Sequence, residues 1–289
     1  VDQSLPETNR LDTPDGLGAS EVSPNHHLLS LYLYSYVRRA VLPVAVLFAL
    51  VIAWELWVRV TQIPEYLVPA PSAVASRLFS DLGYFSFHGT VTLIEALGGF
   101  AIGSIFAVTV AVMMAHSRLF ERTLYPIALL VKVTPIVAVA PLFVIWFGFG
   151  SFPKVMIAAL ITFFPVMVNT LIGLKSVNPT TLDFFRSLDA SQIDILTKLR
   201  APSALPYVFA AFRISLPLSV IGAVVAEWFT GDRGLGSVII VAHNNIDMPT
   251  LFSAIVVLAV IGVTLTGLAA LLERRFLFWH ESQQSRYVL

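Results

Sequence analysis

Residues 175–207 form a polar, charged island between two long apolar stretches, and the chemistry they offer is docking rather than catalysis. The run Asp183-Phe184-Phe185-Arg186-Ser187-Leu188-Asp189-Ala190-Ser191 sets two large rings among charges, with Leu199 and Pro202 downstream. Bulky apolar side chains on a polar helix suit a socket on a soluble partner, and Asp183 and Arg186 can orient such a contact. Packing of both rings onto the chain's own bundle is the competing reading, and one ring facing each way satisfies both. Leu182, Phe185, Leu188, Ile193, Leu196 and Leu199 recur at roughly three- and four-residue spacing, the period of an amphipathic helix. Asn178-Pro179-Thr180 is a start signal, since proline favours a first turn. Asp189-Ala190-Ser191 reads as a break, because Asp tolerates a left-handed conformation better than most residues. Pro202 and Pro206 are expected to end the second helix. The expected shape is helix, turn, helix, parallel to the membrane, acting as a lever; the alternative is an ordinary amphipathic loop on the lipid surface.

A few polar residues interrupt the apolar stretches themselves. Lys132 is the odd charge; deep in hydrocarbon it would cost at least ~2.5 kcal/mol unless it snorkels or lines water. It therefore either lines an inner vestibule or reaches the cytoplasmic headgroups. Glu95 and Glu227 lie near the outer ends of their spans. Glu227 adjoins Trp228 and precedes Gly231-Asp232-Arg233, so it is read either as a polar gate or as a hydrogen-bond anchor for loop backbone. Thr162, Asn169 and Ser219 are the neutral polar candidates to line a space between helices, with helix–helix hydrogen bonding as their structural alternative.

Several chemistries are missing. There is no cysteine, which removes disulfides and thiolate metal sites. The six histidines are scattered without ligand spacing, and His26-His27 sit in a polar tail. A membrane enzyme would need a cluster of intramembrane acids, histidines or cysteines, and the sequence has none. No phosphate loop of the form G-x-x-x-x-G-K-[ST] occurs, so the chain is not expected to be an enzyme or to hydrolyse ATP. Zero net charge gives no reason to expect nucleic acid as a partner.

The elements that carry these residues follow from composition and length. The chain is 57% apolar and 12% charged, with a mean hydropathy of +0.81; soluble domains carry about 25% charged residues. So little charge cannot cover a soluble surface, and the chain belongs in a bilayer. A helix must cover roughly 30 Å of hydrocarbon, or about 20 residues, which predicts six spans: 41–58, 93–115, 124–147, 152–174, 208–229 and 251–271. Prolines 126, 135, 141, 165 and 217 fall within or at the ends of these spans and are expected to kink them. Residues 1–37 read as a polar, largely disordered tail with a short interfacial helix over 28–36, and 281–289 as a second tail.

Basic residues set the orientation. With the N-terminus inside, thirteen fall on cytoplasmic segments (Arg10, Arg38, Arg39, Arg118, Arg122, Lys175, Arg186, Lys198, Arg200, Arg213, Arg274, Arg275, Arg286). Four fall outside (Arg59, Arg77, Lys154, Arg233). Both termini and the 175–207 loop are therefore expected in the cytoplasm, with loops 59–92 and 230–250 outside. The fold expected over 38–280 is an all-α, six-helix integral membrane domain.

Residues 183–202 resemble the cytoplasmic signature of permease subunits in binding-protein-dependent ABC importers: Glu-Ala-Ala, three residues, Gly, nine residues, Ile, one residue, Leu-Pro. Asp183 takes the glutamate position, Phe184 and Phe185 the alanines, Asp189 the glycine, Leu199 the isoleucine, and Ala201-Pro202 the Leu-Pro. Spacing is kept while most identities depart; Asp189 is the departure of most consequence, because Gly makes that turn at lower strain. The segments beginning Pro135-Ile-Val-Ala138 and Phe164-Pro165-Val-Met-Val-Asn169, then Ala226-Glu227 and 231–236, are similar to the nitrate/sulfonate/taurine branch of these permeases. The likeness runs from about residue 90 to 280.

The resemblance implies a type I importer permease with a cytoplasmic coupling helix. It also implies a second permease copy, two cytoplasmic ATPase subunits that bind ATP and Mg, an extracytoplasmic solute-binding protein and a bacterial inner-membrane location. Substrates across that branch include nitrate, bicarbonate, alkanesulfonates, taurine and pyrimidine or flavin vitamin precursors. Apart from Lys132 the spans hold almost no fixed cation for an oxyanion, and 231–236 with 247–252 look closer to the vitamin-precursor permeases. The expectation therefore leans to a neutral heterocycle, with the oxyanions as the alternative. A secondary transporter is a further alternative, but it would show an internal inverted repeat of broken helices.

Overall fold

The computed structural model describes the backbone from His26 to Leu277 and side chains from Val41 onward. The expected tail falls outside the described residues up to position 25, and the C-terminal tail lies outside them too. Residues 26–37 belong instead to the first helix, α1 (His26–Thr61), so the segment expected as a separate interfacial helix is continuous with the first span. Among the described residues there are eleven α-helices, α1 included, and no strand.

Helix α2 (Pro71–Ser80) leads into α3 (Leu82–His116), which starts eleven residues before the expected span. The Asp81 side chain caps it by accepting from the Tyr84 N–H at 3.1 Å. Helices α4 (Arg118–Val133) and α5 (Ile136–Phe147) occupy the place of the third span. They are bent by 98° at Thr134-Pro135, so the expected straight helix over 124–147 is a broken span or a re-entrant pair. Pro135 removes the donor that would carry the ladder across, and residue 134, placed before a proline, is pushed out of the helical region. Pro126, Pro141, Pro165, Pro206 and Pro217 all lie inside helices, without a comparable break.

Helix α6 (Ser151–Lys175) is followed by the short α7 (Pro179–Ser187). Next come one turn of α8 (Gln192–Asp194), a π turn over Ile195–Arg200, and α9 (Ala201–Thr230). These last three are one continuous rod, Gln192–Thr230. Pro202 and Pro206 thus do not end a helix as the sequence implied. The wider π turn comes just before Pro202, with the Ala201 N–H returning to the Leu196 carbonyl, and absorbs the missing donor without a stop. Helices α10 (Leu235–Asn244) and α11 (Met248–Phe276) are the last among the described residues. Among the described residues five helices are long and apolar enough to cross a membrane, six when the bent pair counts as one span.

The core is α3, α6 and α9. Small residues let their backbones approach: a methyl on Gly222 would lie 2.7 Å from Ala158 Cα, and one on Gly99 2.7 Å from the Val155 carbonyl oxygen. Leucines drive association weakly where lipid is as apolar as the helix, so this close fit carries the packing. One cluster, Ala107, Met114, Val166, Met167, Leu171 and Ala211, fills the end of the bundle nearest residues 175–207. Another, Ala140, Ile157, Val225 and Ala226, lies toward the opposite end.

Candidate functional site

The island between α6 and α9 is built as a rigid unit. The Asn178 side chain accepts from the Thr180 N–H at 2.9 Å and Pro179 opens α7. Asp189 has φ 54°, the left-handed conformation its sequence predicted, and the Ala190 N–H returns to the Phe185 carbonyl at 3.2 Å. Ser191 then caps α8, accepting from the Asp194 N–H at 3.1 Å, and Lys198 pairs with Asp194 one turn later. Two contacts tie the unit to the bundle. Arg200 donates to the Ala115 carbonyl at the C-terminus of α3 (2.9 Å), and Lys175 meets Glu121 of α4 at 2.6 Å.

On that frame the two phenylalanines separate. Phe184 is 60% exposed and Leu188 64%, while Phe185 is half-buried, its ring 6.5 Å from that of Phe184 in an edge-on arrangement. Asp183 and Arg186 form an exposed pair at 3.2 Å beside Phe184. Ser187 is exposed, and its hydroxyl donates to the Phe184 carbonyl. Ala190 and Leu199 are partly buried, and Ser191 and Pro202 are exposed. An apolar ring and a leucine thus stand out from a capped, charged helix that its own chain leaves uncovered.

A second polar cluster lies at the other end of α3, α6 and α9. Lys154, in the first turn of α6, is 1% exposed; its ammonium donates to Asp232 Oδ1 at 2.8 Å and to the Arg233 carbonyl at 3.1 Å. The same ammonium lies 3.2 Å from Glu95 Oε1, a carboxylate 2% exposed and without a hydrogen bond of ordinary geometry. Nearby, Glu227 accepts from Thr92 Oγ1 at 2.7 Å and from the Gly236 N–H at 2.5 Å. Thr92 in turn accepts from the Leu235 N–H at 2.8 Å. The α9–α10 loop is therefore sewn onto the bundle by side chains from three helices.

Gly231 (φ 65°) ends α9 in a left-handed cap, and Gly234 (φ 104°) takes a conformation that a side chain would oppose. For Asp232, partial burial works to raise its pKa. That effect is outweighed by hydrogen bonds from Lys154 and from backbone N–H groups, which hold its carboxyl below the ordinary value.

The remaining path candidates are scattered. Thr162 is buried where α6 meets α3, with its hydroxyl on the Ala159 carbonyl at 2.9 Å. Ser219 is buried on α9 and donates to the Leu216 carbonyl. Asn169, half-buried on α6, donates to the Pro165 carbonyl at 2.8 Å. Lys132 is exposed at the end of α4, its ammonium 4.8 Å above the Phe164 ring, on a pocket of about 440 Å³ at the 98° bend. The fold brings Glu227 close to Lys154 and Glu95 but does not bring the five path candidates to one cavity. Lys154 is the residue that sequence reasoning missed: it was counted as an outer-loop cation, and its partners are 59 and 78 residues away. Its place four residues after Gly150, in an apolar stretch, was the available signal. Among the described residues no three His, Asp or Glu side chains gather as a metal site.

The chain is 38% identical over 243 residues to the riboflavin transport system permease protein RibX of Chloroflexus aurantiacus, covering 83% of this chain and 90% of that protein. It is 34% identical over 249 residues to the formylaminopyrimidine transport permease protein ThiX of Halalkalibacterium halodurans, covering 85% and 98%. Identity is 30% over 255 residues to the taurine transport system permease protein TauC of Escherichia coli, covering 86% and 92%. Residues 99–278, which hold α4 to α11, the rigid island and the α9–α10 loop, match the family of binding-protein-dependent transport system inner membrane components. The chain belongs to that family and is a permease of the ABC importer type.

Proposed function

We propose that two copies of this chain form a translocation path across a bacterial inner membrane for a small, flat heterocycle related to a flavin or pyrimidine vitamin precursor. Two copies of a cytoplasmic ATPase, holding ATP and Mg, drive the path through residues 183–202, and an extracytoplasmic binding protein delivers the solute. The chain crosses six times with both termini inside. The observation that carries this reading is Phe184: a ring 60% exposed on α7, a helix capped at its start by Asn178 and followed, after the Asp189 turn, by the Ser191-capped rod that Arg200 anchors to α3. A soluble motor needs such a short, stiff lever. Burying one phenylalanine in its socket supplies ~1.5–3 kcal/mol of docking.

The lean to a heterocycle draws on the riboflavin and formylaminopyrimidine permeases among the relatives. Taurine or an alkanesulfonate is the second reading, favoured by the taurine and sulfonate permeases that also match. Co-purification from detergent with the ATPase encoded beside this chain tests the assembly. The expected result is a complex with ATPase and permease in equal number, whose ATP hydrolysis rises when the loaded binding protein is added. A permease recovered alone that never stimulates hydrolysis contradicts it.

A further inference from the structure

We infer that Arg233, carried on the outer α9–α10 loop beside the ring of Phe87, is a docking contact for a carboxylate on the extracytoplasmic solute-binding protein. This rests on the importer reading above and names a point at which the outer partner is held.

Four basic residues fall on the outer segments: Arg59, Arg77, Lys154 and Arg233. Three of them are spent within the chain. Arg59 pairs with Glu55 at the end of α1. Arg77 donates to Thr250 Oγ1 at 2.9 Å and lies over the Phe85 ring. Lys154 is buried between Glu95 and Asp232. Arg233 is exposed and has no carboxylate within ion-pair distance among the described residues. Its neighbour Asp232 already has its charge met by Lys154.

The backbone beneath Arg233 is fixed. Its carbonyl accepts from the Lys154 ammonium at 3.1 Å and from Ser237 Oγ at 3.0 Å, and the next N–H, of Gly234, donates to His88 Nδ1 at 3.1 Å. The guanidinium lies 5.9 Å from the centroid of the Phe87 ring, which is itself 51% exposed. A ring beside a guanidinium steadies it and leaves its edge of N–H donors free. That planar edge matches the two oxygens of a carboxylate. Arginine with an aromatic ring, on a base that need not be ordered when the partner arrives, has the make-up of an interface hot spot.

Depth selects the occupant. Phe87 stands ~9 Å of helix outward of Leu93, the start of the expected span. The headgroup layer on one side is about 5–8 Å thick. Ring and cation therefore reach past the lipid phosphates to water, where a soluble protein meets them. One exposed cation holds a free anion weakly. A carboxylate fixed in a protein face brings with it the surrounding surface that excludes water.

The test uses the permease–ATPase complex in nanodiscs, of zwitterionic and of anionic lipid, and equilibrium docking of the purified binding protein encoded beside this chain. Arg233→Gln is expected to weaken docking roughly ten- to a hundredfold in both discs, the loss of one charge-assisted contact. It should also flatten the dependence of docking on salt between about 50 and 500 mM. Arg233→Lys keeps the charge without the planar fork, so it should restore the salt dependence and only part of the affinity. Arg233→Glu should dock worst, and one acid-to-arginine change on the binding protein should recover it. Melting temperature and recruitment of the ATPase establish that each variant is folded and assembled.

The assignment is overturned if Arg233→Gln docks as the unaltered complex does, if its loss appears only in anionic discs, or if no acid-to-arginine change recovers Arg233→Glu. An unaltered complex that never docks the binding protein removes the importer reading as well. An unaltered complex that docks it, with Arg233→Gln docking equally, removes this contact alone.

Discussion

Lys154 and Asp232 meet at 2.8 Å, and the buried Lys154 ammonium is shared between a buried carboxylate on the bundle, Glu95, and a half-exposed one on the loop, Asp232. Asp232 retains 44% side-chain exposure while Lys154 and Glu95 retain 1% and 2%. The loop contact can therefore break without leaving Lys154 unpaired, because Glu95 stays with it.

Removing the cation is the damaging change. Lys154→Met leaves Glu95 buried without a counter-charge, a class of lesion that costs about 3–5 kcal/mol. The double variant Lys154→Met, Glu95→Gln should regain a large part of that loss. Thermal unfolding in detergent checks this: the single variant is expected to melt well below the unaltered protein and the double variant between them.

Asp232 gives the loop contact its pH dependence. Its folded pKa lies below the unfolded value, so its stabilisation is fully present above the unfolded pKa of about 3.9 and is lost as pH falls through the folded value. The difference in melting temperature between the unaltered chain and Asp232→Asn should stay constant from neutral pH to about pH 5 and shrink only below about pH 4. A difference that disappears near neutral pH would assign the effect to another group.

Thr92 serves the same loop by two bonds, donating to Glu227 and accepting from the Leu235 N–H. Thr92→Val keeps the shape and strands both partners in a buried position. It is expected to cost about 1–3 kcal/mol, more than Thr162→Val, whose hydroxyl bonds only its own helix. Comparison of the two melting temperatures decides the matter.

Topology is open to cysteine labelling, since the chain has no native cysteine. Ser187→Cys, on the exposed face of α7, should react only from the cytoplasmic side. Asn245→Cys, exposed after α10, should react only from outside. Ser237 is unsuitable because its side chain is buried under the loop. Outside labelling at 187 or inside labelling at 245 inverts the orientation.

What the sequence disclosed follows from local chemistry. The Asn178-Pro179 start and the left-handed Asp189 depend on the residue and its neighbours, and the structure has both. What it concealed depends on distant residues. Lys154 looked like a solvated loop cation because nothing near it in sequence shows Glu95 or Asp232 closing over it. Pro202 and Pro206 looked like terminators because the π turn that accommodates them leaves no mark in residue type. The same proline chemistry produced a 98° bend at residue 135 and only an in-line helix at 165. The difference lies in whether neighbouring helices hold the backbone straight.

The importer reading depends most on the lever. In a reconstituted complex with the ATPase and the loaded binding protein, the measurement is stimulated ATP hydrolysis by Phe184→Ala beside Phe185→Ala. Phe184 is exposed, so its alanine variant should insert and fold normally while docking weakens roughly ten- to a hundredfold and stimulated hydrolysis is lost. Phe185, half-buried, should instead lower the folded yield. Stimulated hydrolysis at the unaltered rate in well-folded Phe184→Ala would contradict the account, because the side chain that its own bundle leaves uncovered would then have no partner to move.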